Sequence, residues 1–198
     1  MPQDGYGEGH FIAVFEREGG GQPRNEESYG YRGMKEASLT NKQRQSLTPF
    51  LEFVRETLSD GGIRKEMSDP GRLFMFGNRL CLMPECGIPA LGGLKVLRAG
   101  LELGEIKKER FIPSHSLALA MKAEDALRSI DLEADGVEVR KYLNGQSISR
   151  ENGCIKKDPA PGDTGWTLVT VSGISSGWAK ASDKMLKNHY PKGLRSSC

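Results

Sequence analysis

Apolar positions recur in short blocks from Leu47 onward, and each block carries its own period. Over residues 48–59, Phe50, Leu51, Phe53, Val54 and Leu58 share one broad face at helical spacing. Thr48 can cap that segment, Pro49 suits its first turn and Gly61-Gly62 can end it, which predicts a helix. Leu73–Phe76 and Leu80–Met83 flank Gly77-Asn78-Arg79, a pattern of strand, tight turn and strand. Strand-like runs follow between Gly92 and Gly100 and again over Leu101–Ile106. Ser114 can cap a short helix through Met121, Glu124–Ile130 reads as another helical turn or two, and Val137–Leu143 as a further helix ended by Asn144-Gly145. Ile148 opens a polar strand region, residues 153–165 read as a loop, and Trp166–Val171, Ser172-Gly173 and Ile174–Lys180 form a hairpin. Short strands mixed with short helices predict an α+β fold in which the last strands close a small mixed β-barrel.

The pattern differs upstream. Residues 5–15 read as a glycine-rich turn feeding a strand, Phe11–Phe15, that is apolar on both faces as in a sheet interior. Residues 16–45 are mostly Gly, Glu, Arg, Asn, Gln and Ser, the composition of a mobile linker, so the strand reads as cut from something larger. The predicted organisation is a strand remnant at 1–17, a flexible linker at 18–45, a helix and hairpin subdomain at 46–122 and a barrel domain at 123–198.

The net charge of +2 is uninformative, but its distribution is not. Lys180, Lys184, Lys187, Lys192 and Arg195 stand against the single acid Asp183, a local charge of +4. Trp178, Asn188, His189 and Tyr190 are interleaved with them. Cations that neutralise phosphates, aromatics that stack and amides that reach base edges make this tail a candidate RNA surface, which Lys107, Lys108 and Arg110 can extend. Plainer readings stand beside it. Trp166 starts a strand among Leu168 and Val169 and reads as core, whereas Trp178 fits core and contact equally. Tyr190-Pro191 can anchor the tail with Asn188 satisfying backbone groups, His115 can be structural, and Lys107-Lys108 beside Glu105 and Glu109 can be a solvated face.

Cys81, Cys86, Cys154 and Cys198 form no CxxC pair, and the histidines lie at no metal spacing near them, so no metal site is predicted. No phosphate-binding glycine motif occurs, since Gly19-Gly20-Gly21 lacks the strand–loop–helix context. With no secretory leader and no long apolar run, a cytoplasmic protein with reduced thiols and no membrane partner is expected.

Several segments carry a resemblance: Phe76-Gly77-Asn78-Arg79-Leu80, Gly93–Lys108, Arg110–Ala120, Gly165–Val171 and, as one continuous run, Leu186-Lys187-Asn188-His189-Tyr190-Pro191-Lys192-Gly193-Leu194-Arg195. Together, over roughly residues 73–195, they resemble the C-terminal half of bacterial ribosomal RNA cytosine-C5 methyltransferases of the Sun/Nop family. Residues Gly7–Phe15 resemble the last strand of that family's catalytic domain. The resemblance implies a PUA-like RNA-binding domain at 123–198, with ribosomal RNA and the methyltransferase domain of the same polypeptide as partners. S-adenosylmethionine is the implied cofactor of the parent enzyme, and none is implied in this chain. Pro84-Glu85-Cys86 is not the family's adjacent Pro-Cys pair and lies in the wrong half, so no catalytic residue is assigned. The expected role is RNA binding that positions ribosomal RNA for a catalytic domain. The alternatives are a chain that completes the methyltransferase site and a protein-interaction domain whose basic tail meets an acidic partner.

Overall fold

The computed structural model describes residues 39–84, 100–150, 154–157, 164–182 and 184–196. The expected strands at 11–15 and between Gly92 and Gly100, the linker as far as residue 38, and Cys86 and Cys198 lie outside the described residues.

Helix α1 (Asn41–Gln45) leads directly into α2 (Thr48–Thr57). Leu39 and Leu47 are both buried in the core, so the flexible linker expected through residue 45 gives way by Leu39. Thr48 does not cap α2: Leu47 occupies the cap position and Pro49 sits in the first turn. The helix ends at Thr57 rather than near the glycine pair, because its last carbonyls find partners outside it. Leu127 N donates to Thr57 O (2.8 Å) and Arg128 Nη2 to Glu56 O (2.7 Å). Gly62 instead begins α3 (Gly62–Met67).

Strands β1 (Leu73–Phe76), β2 (Arg79–Leu82), β3 (Leu101–Lys107) and β4 (Arg110–Pro113) form an antiparallel four-stranded sheet in that order. Gly77-Asn78 turns β1 into β2 as expected. Ser114 caps α4 (His115–Ala120), its Oγ accepting from Leu117 N at 2.9 Å.

The second sheet runs β6 (Ile148–Ser149), β10 (Met185–Asn188), β9 (Ile174–Ala181), β8 (Gly165–Val171), β5 (Ser129–Leu132) and β7 (Cys154–Lys157). It curls into a half-barrel in which only the β5–β8 pair is parallel among the described ladders. Helix α5 (Val137–Leu143) forms as expected. Two expectations fail here. Glu124–Ile130 is not helical: a single 3-10 turn (Ala123–Asp125) precedes β5, whose parallel register on β8 supplies pairing that local propensity does not. The expected loop 153–165 contains β7, which pairs with β5.

The faces of the second sheet serve different cores. Ile130, Val169, Ala179, Ala181 and Leu186 pack with Val139 and Tyr142 of α5. On the other face Leu168 and Trp178 join Phe50, Phe53 and Val54 of α2, together with Phe111 and Leu117, in one cluster. The segments on either side of residue 122 are therefore welded by a shared core. Gly177 permits one close approach: with φ +153°, it leaves room for the Tyr142 hydroxyl, which donates to Trp178 O at 3.0 Å.

Candidate nucleic-acid interface

Strand register builds the site. Trp166 lies opposite Lys180, and Lys180 lies opposite Lys187, so the three side chains form a row across β8, β9 and β10 on one face. Leu168 and Trp178 occupy the same face one step along, where α2 covers them. The cover stops at the row. Trp166 is half-buried and Lys180 and Lys187 are exposed. Beyond β10, His189 brings its ring to 4.6 Å from that of Trp166, edge to face, and Lys180 Nζ lies 5.9 Å from the Trp166 ring centre. Partial burial, with the nearby ammonium groups of Lys187 and Lys180, holds the His189 pKa below its usual value.

The row borders a cleft of about 560 Å³. It is also lined by Glu52 and Glu56 of α2 and by Glu109 and Arg110 at the β3–β4 hairpin. Arg128 braces the floor, its Nε donating to Trp166 O at 3.2 Å while Nη2 holds the end of α2. A neighbouring cleft is lined by Lys107, Lys108 and Arg110, so the hairpin tip joins the two.

The tail residues divide into two groups. Lys180, Lys184, Lys187 and Lys192 are exposed, and no ion pair engages them among the described residues. His189 joins the cleft, and the rest of the tail is structural. Trp178, expected as a possible stacking platform, is only 2% exposed and packs edge-on to Phe53 with centroids 5.9 Å apart. Its Nε1 donates to Ser114 O at 2.9 Å. Of the two readings open for Trp178, the core one holds, whereas Trp166, expected in the core, is half-buried against it and lines the cleft. Asn188 does not present its amide to solvent. Its Nδ2 donates to Tyr142 O (2.7 Å) and Gln146 O (3.0 Å), and its Oδ1 accepts from Tyr190 N (2.8 Å). Tyr190 is half-buried between the rings of Tyr142 and His115, at 5.4 and 5.5 Å. Arg195 is half-buried and donates to Tyr190 O at 3.2 Å, lying over Gly145, where a Cβ would meet its Nε at 2.4 Å. These three residues strap the tail down and leave the lysines to face outward. Lys107 is engaged as well, its Nζ pairing with Glu105 at 2.7 Å, while Lys108 and Arg110 remain exposed. Trp166, Arg128, Glu52 and Glu56 were not singled out from sequence as site residues, since α2 is far from β8 along the chain.

Burial, aided by Glu102, pushes the Cys81 thiol up to about 11, which removes it as a nucleophile at neutral pH. No group of three or more metal-ligating side chains is assembled among the described residues. No described helix is long and apolar enough to cross a membrane.

Comparison with known proteins agrees with this architecture. Residues 52–121 match the family model of the RsmF rRNA methyltransferase first C-terminal domain, and residues 129–196 match that of the methyltransferase RsmF PUA domain. Among curated proteins, the chain is 28% identical over 113 residues to a ribosomal RNA small subunit methyltransferase F from Shewanella piezotolerans, covering 57% of this chain and 21% of that protein. It is 27% identical over 113 residues to the protein of that name from Vibrio campbellii, covering 57% of this chain and 23% of that protein. The chain spans about a fifth of the length of these relatives.

Proposed function

Since the chain carries the first C-terminal domain and the PUA domain of the RsmF rRNA methyltransferase family, we propose that it is the RNA-binding part of such an enzyme and positions ribosomal RNA for a catalytic domain. The division falls near residue 122, with a helix and hairpin subdomain before it and the PUA domain after it. The carrying observation is the outward row of Lys180 and Lys187 on a face where buried packing ends; Lys184 and Lys192 are exposed as well. Like charges placed opposite each other across strands are unfavourable unless an anion compensates them, and a sugar–phosphate chain supplies one. S-adenosylmethionine, the methyl-transfer cysteines and cytosine itself belong in this reading to the catalytic domain. The protein works in the cytoplasm, where ribosomal RNA is found.

Salt tests the proposal. The affinity of this chain for a small-subunit ribosomal RNA fragment is expected to fall with added salt, and Lys187→Ala or Lys192→Ala to lower the log–log slope by about one unit each. Wild-type affinity and slope in both variants would refute the assignment. Salt-sensitive binding to an acidic peptide in place of RNA would move the chain to a protein-interaction role.

A further inference from the structure

The lysines account for phosphates but not for the half-buried Trp166 at the mouth of the neighbouring cleft. Three features of that cleft belong together. Trp166 and His189 present two rings whose centroids are 4.6 Å apart, tilted by 66°. The cleft has a volume of about 560 Å³, within the range of clefts that hold small ligands, about 300–1,000 Å³. Its lining is of mixed charge: Lys180 stands over Trp166, and Glu52, Glu56 and Glu109 share the lining with Arg110 and with Arg128, which is engaged on two backbone carbonyls. A phosphate in the cleft would meet three carboxylates. A base would not be repelled, because it is neutral, offers a π-face to Trp166 and can donate its amino or imino hydrogens to a carboxylate.

We propose that the cleft takes one unstacked base of the bound RNA, laid against Trp166 and flanked by His189, while Lys180 and Lys187 hold the phosphates on either side. This rests on the RNA-binding reading above and adds to it a base-dependent contribution. The cleft draws on both matched domains, Glu52 and Glu56 coming from the first and Trp166 and His189 from the PUA domain. The base would therefore be gripped between them.

The test compares two probes on the full 198-residue chain: a single-stranded RNA of about ten nucleotides, and the same ribose–phosphate chain with every base removed. Both carry the same phosphates. The base-bearing probe is expected to bind about 5- to 150-fold more tightly, the equivalent of one stacked base, and to quench the fluorescence of Trp166 in a Trp178→Phe background. Trp166→Ala should reduce affinity for the base-bearing probe to that of the abasic one and leave abasic binding unchanged. Trp166→Phe should restore most of the loss. If both probes bind with equal affinity and salt slope, the base site is overturned and the RNA-binding reading survives. If neither binds, both readings fall. Should Trp166→Ala fail to fold, the wild-type comparison of the two probes still decides the question.

Discussion

The two tryptophans show how completely the position of a residue decides its chemistry. Trp166 and Trp178 share a face of the same sheet, with centroids 6.2 Å apart, yet Trp178, edge-on to Phe53 of α2, is fully buried and Trp166 only half-buried. Trp178→Ala is therefore expected to destabilise the protein by about 3–5 kcal/mol, the cost of emptying a large buried aromatic site. Trp166→Ala should cost clearly less, since Trp166 is only half-buried. Thermal or urea unfolding of the two variants checks the order, and a reversed order would contradict the assignment. Asn188 provides a second case. Its three hydrogen bonds join β10, the end of α5 and the tail, and Asn188→Ala strands the partners of both its donor and its acceptor. A loss of about 1–3 kcal/mol is expected in denaturant titration, with RNA affinity of the folded fraction little changed. The structural reading of Asn188 stands among those the sequence offers, but the different burial of the two tryptophans is not legible there. Alternation identifies which residues share a face, but it does not say where a helix more than a hundred residues away stops covering that face.

At the scale of elements, what the sequence discloses is what local rules decide. The β1–β2 and β8–β9 hairpins, α4 with its Ser114 cap and α5 ending at Asn144 form where period, cap and turn residues place them. The β8–β9 turn adopts positive φ at Ser172 (49°) and Gly173 (85°), and Gly173 N donates to Asp131 Oδ1 at 2.8 Å. Strands β5 and β7 are not visible, because each is four residues long and exists through pairing with partners distant in sequence. The exit of β10 carries a pH response. His189 faces Trp166, Lys180 and Lys187, with Glu52, Glu56, Glu109, Arg110 and Arg128 around the same cleft. Its folded pKa lies below the unfolded value of 6.5. The unfolded chain therefore takes up a proton first as pH falls, and stability drops from about pH 6.5 downward, the full contribution being present only above that value. His189→Gln should flatten this decline in melting temperature between about pH 7.5 and 5.5. The part that remains belongs to His115, whose pKa burial also lowers. An unaltered decline would show that His189 is not the group responsible.

Across the whole molecule, the matched family segments meet in one hydrophobic cluster and are not hung from a flexible joint. Leu168 and Trp178 of the PUA segment pack with Phe53, Val54 and Phe111 of the segment before it. Arg128 binds α2 to β8 through two backbone carbonyls. The chain from residue 39 onward should consequently unfold in a single transition. A piece beginning at residue 123 should expose Trp178 and fold poorly, as seen by near-ultraviolet circular dichroism. Two separate transitions would contradict the shared core. The basic tail was legible because like charges cluster between Lys180 and Arg195. The cleft beside it was not, because its walls come from α2, the β3–β4 hairpin and the second sheet.

The most direct test of the central claim is ultraviolet crosslinking of the full chain to a small-subunit ribosomal RNA fragment, with the attached residues mapped by mass spectrometry. The account predicts attachment at Trp166, His189, Lys180 and Lys187, on the single face where they meet. Crosslinks concentrated on α5 and the opposite side of the sheet, or none above a bovine albumin control, would contradict it.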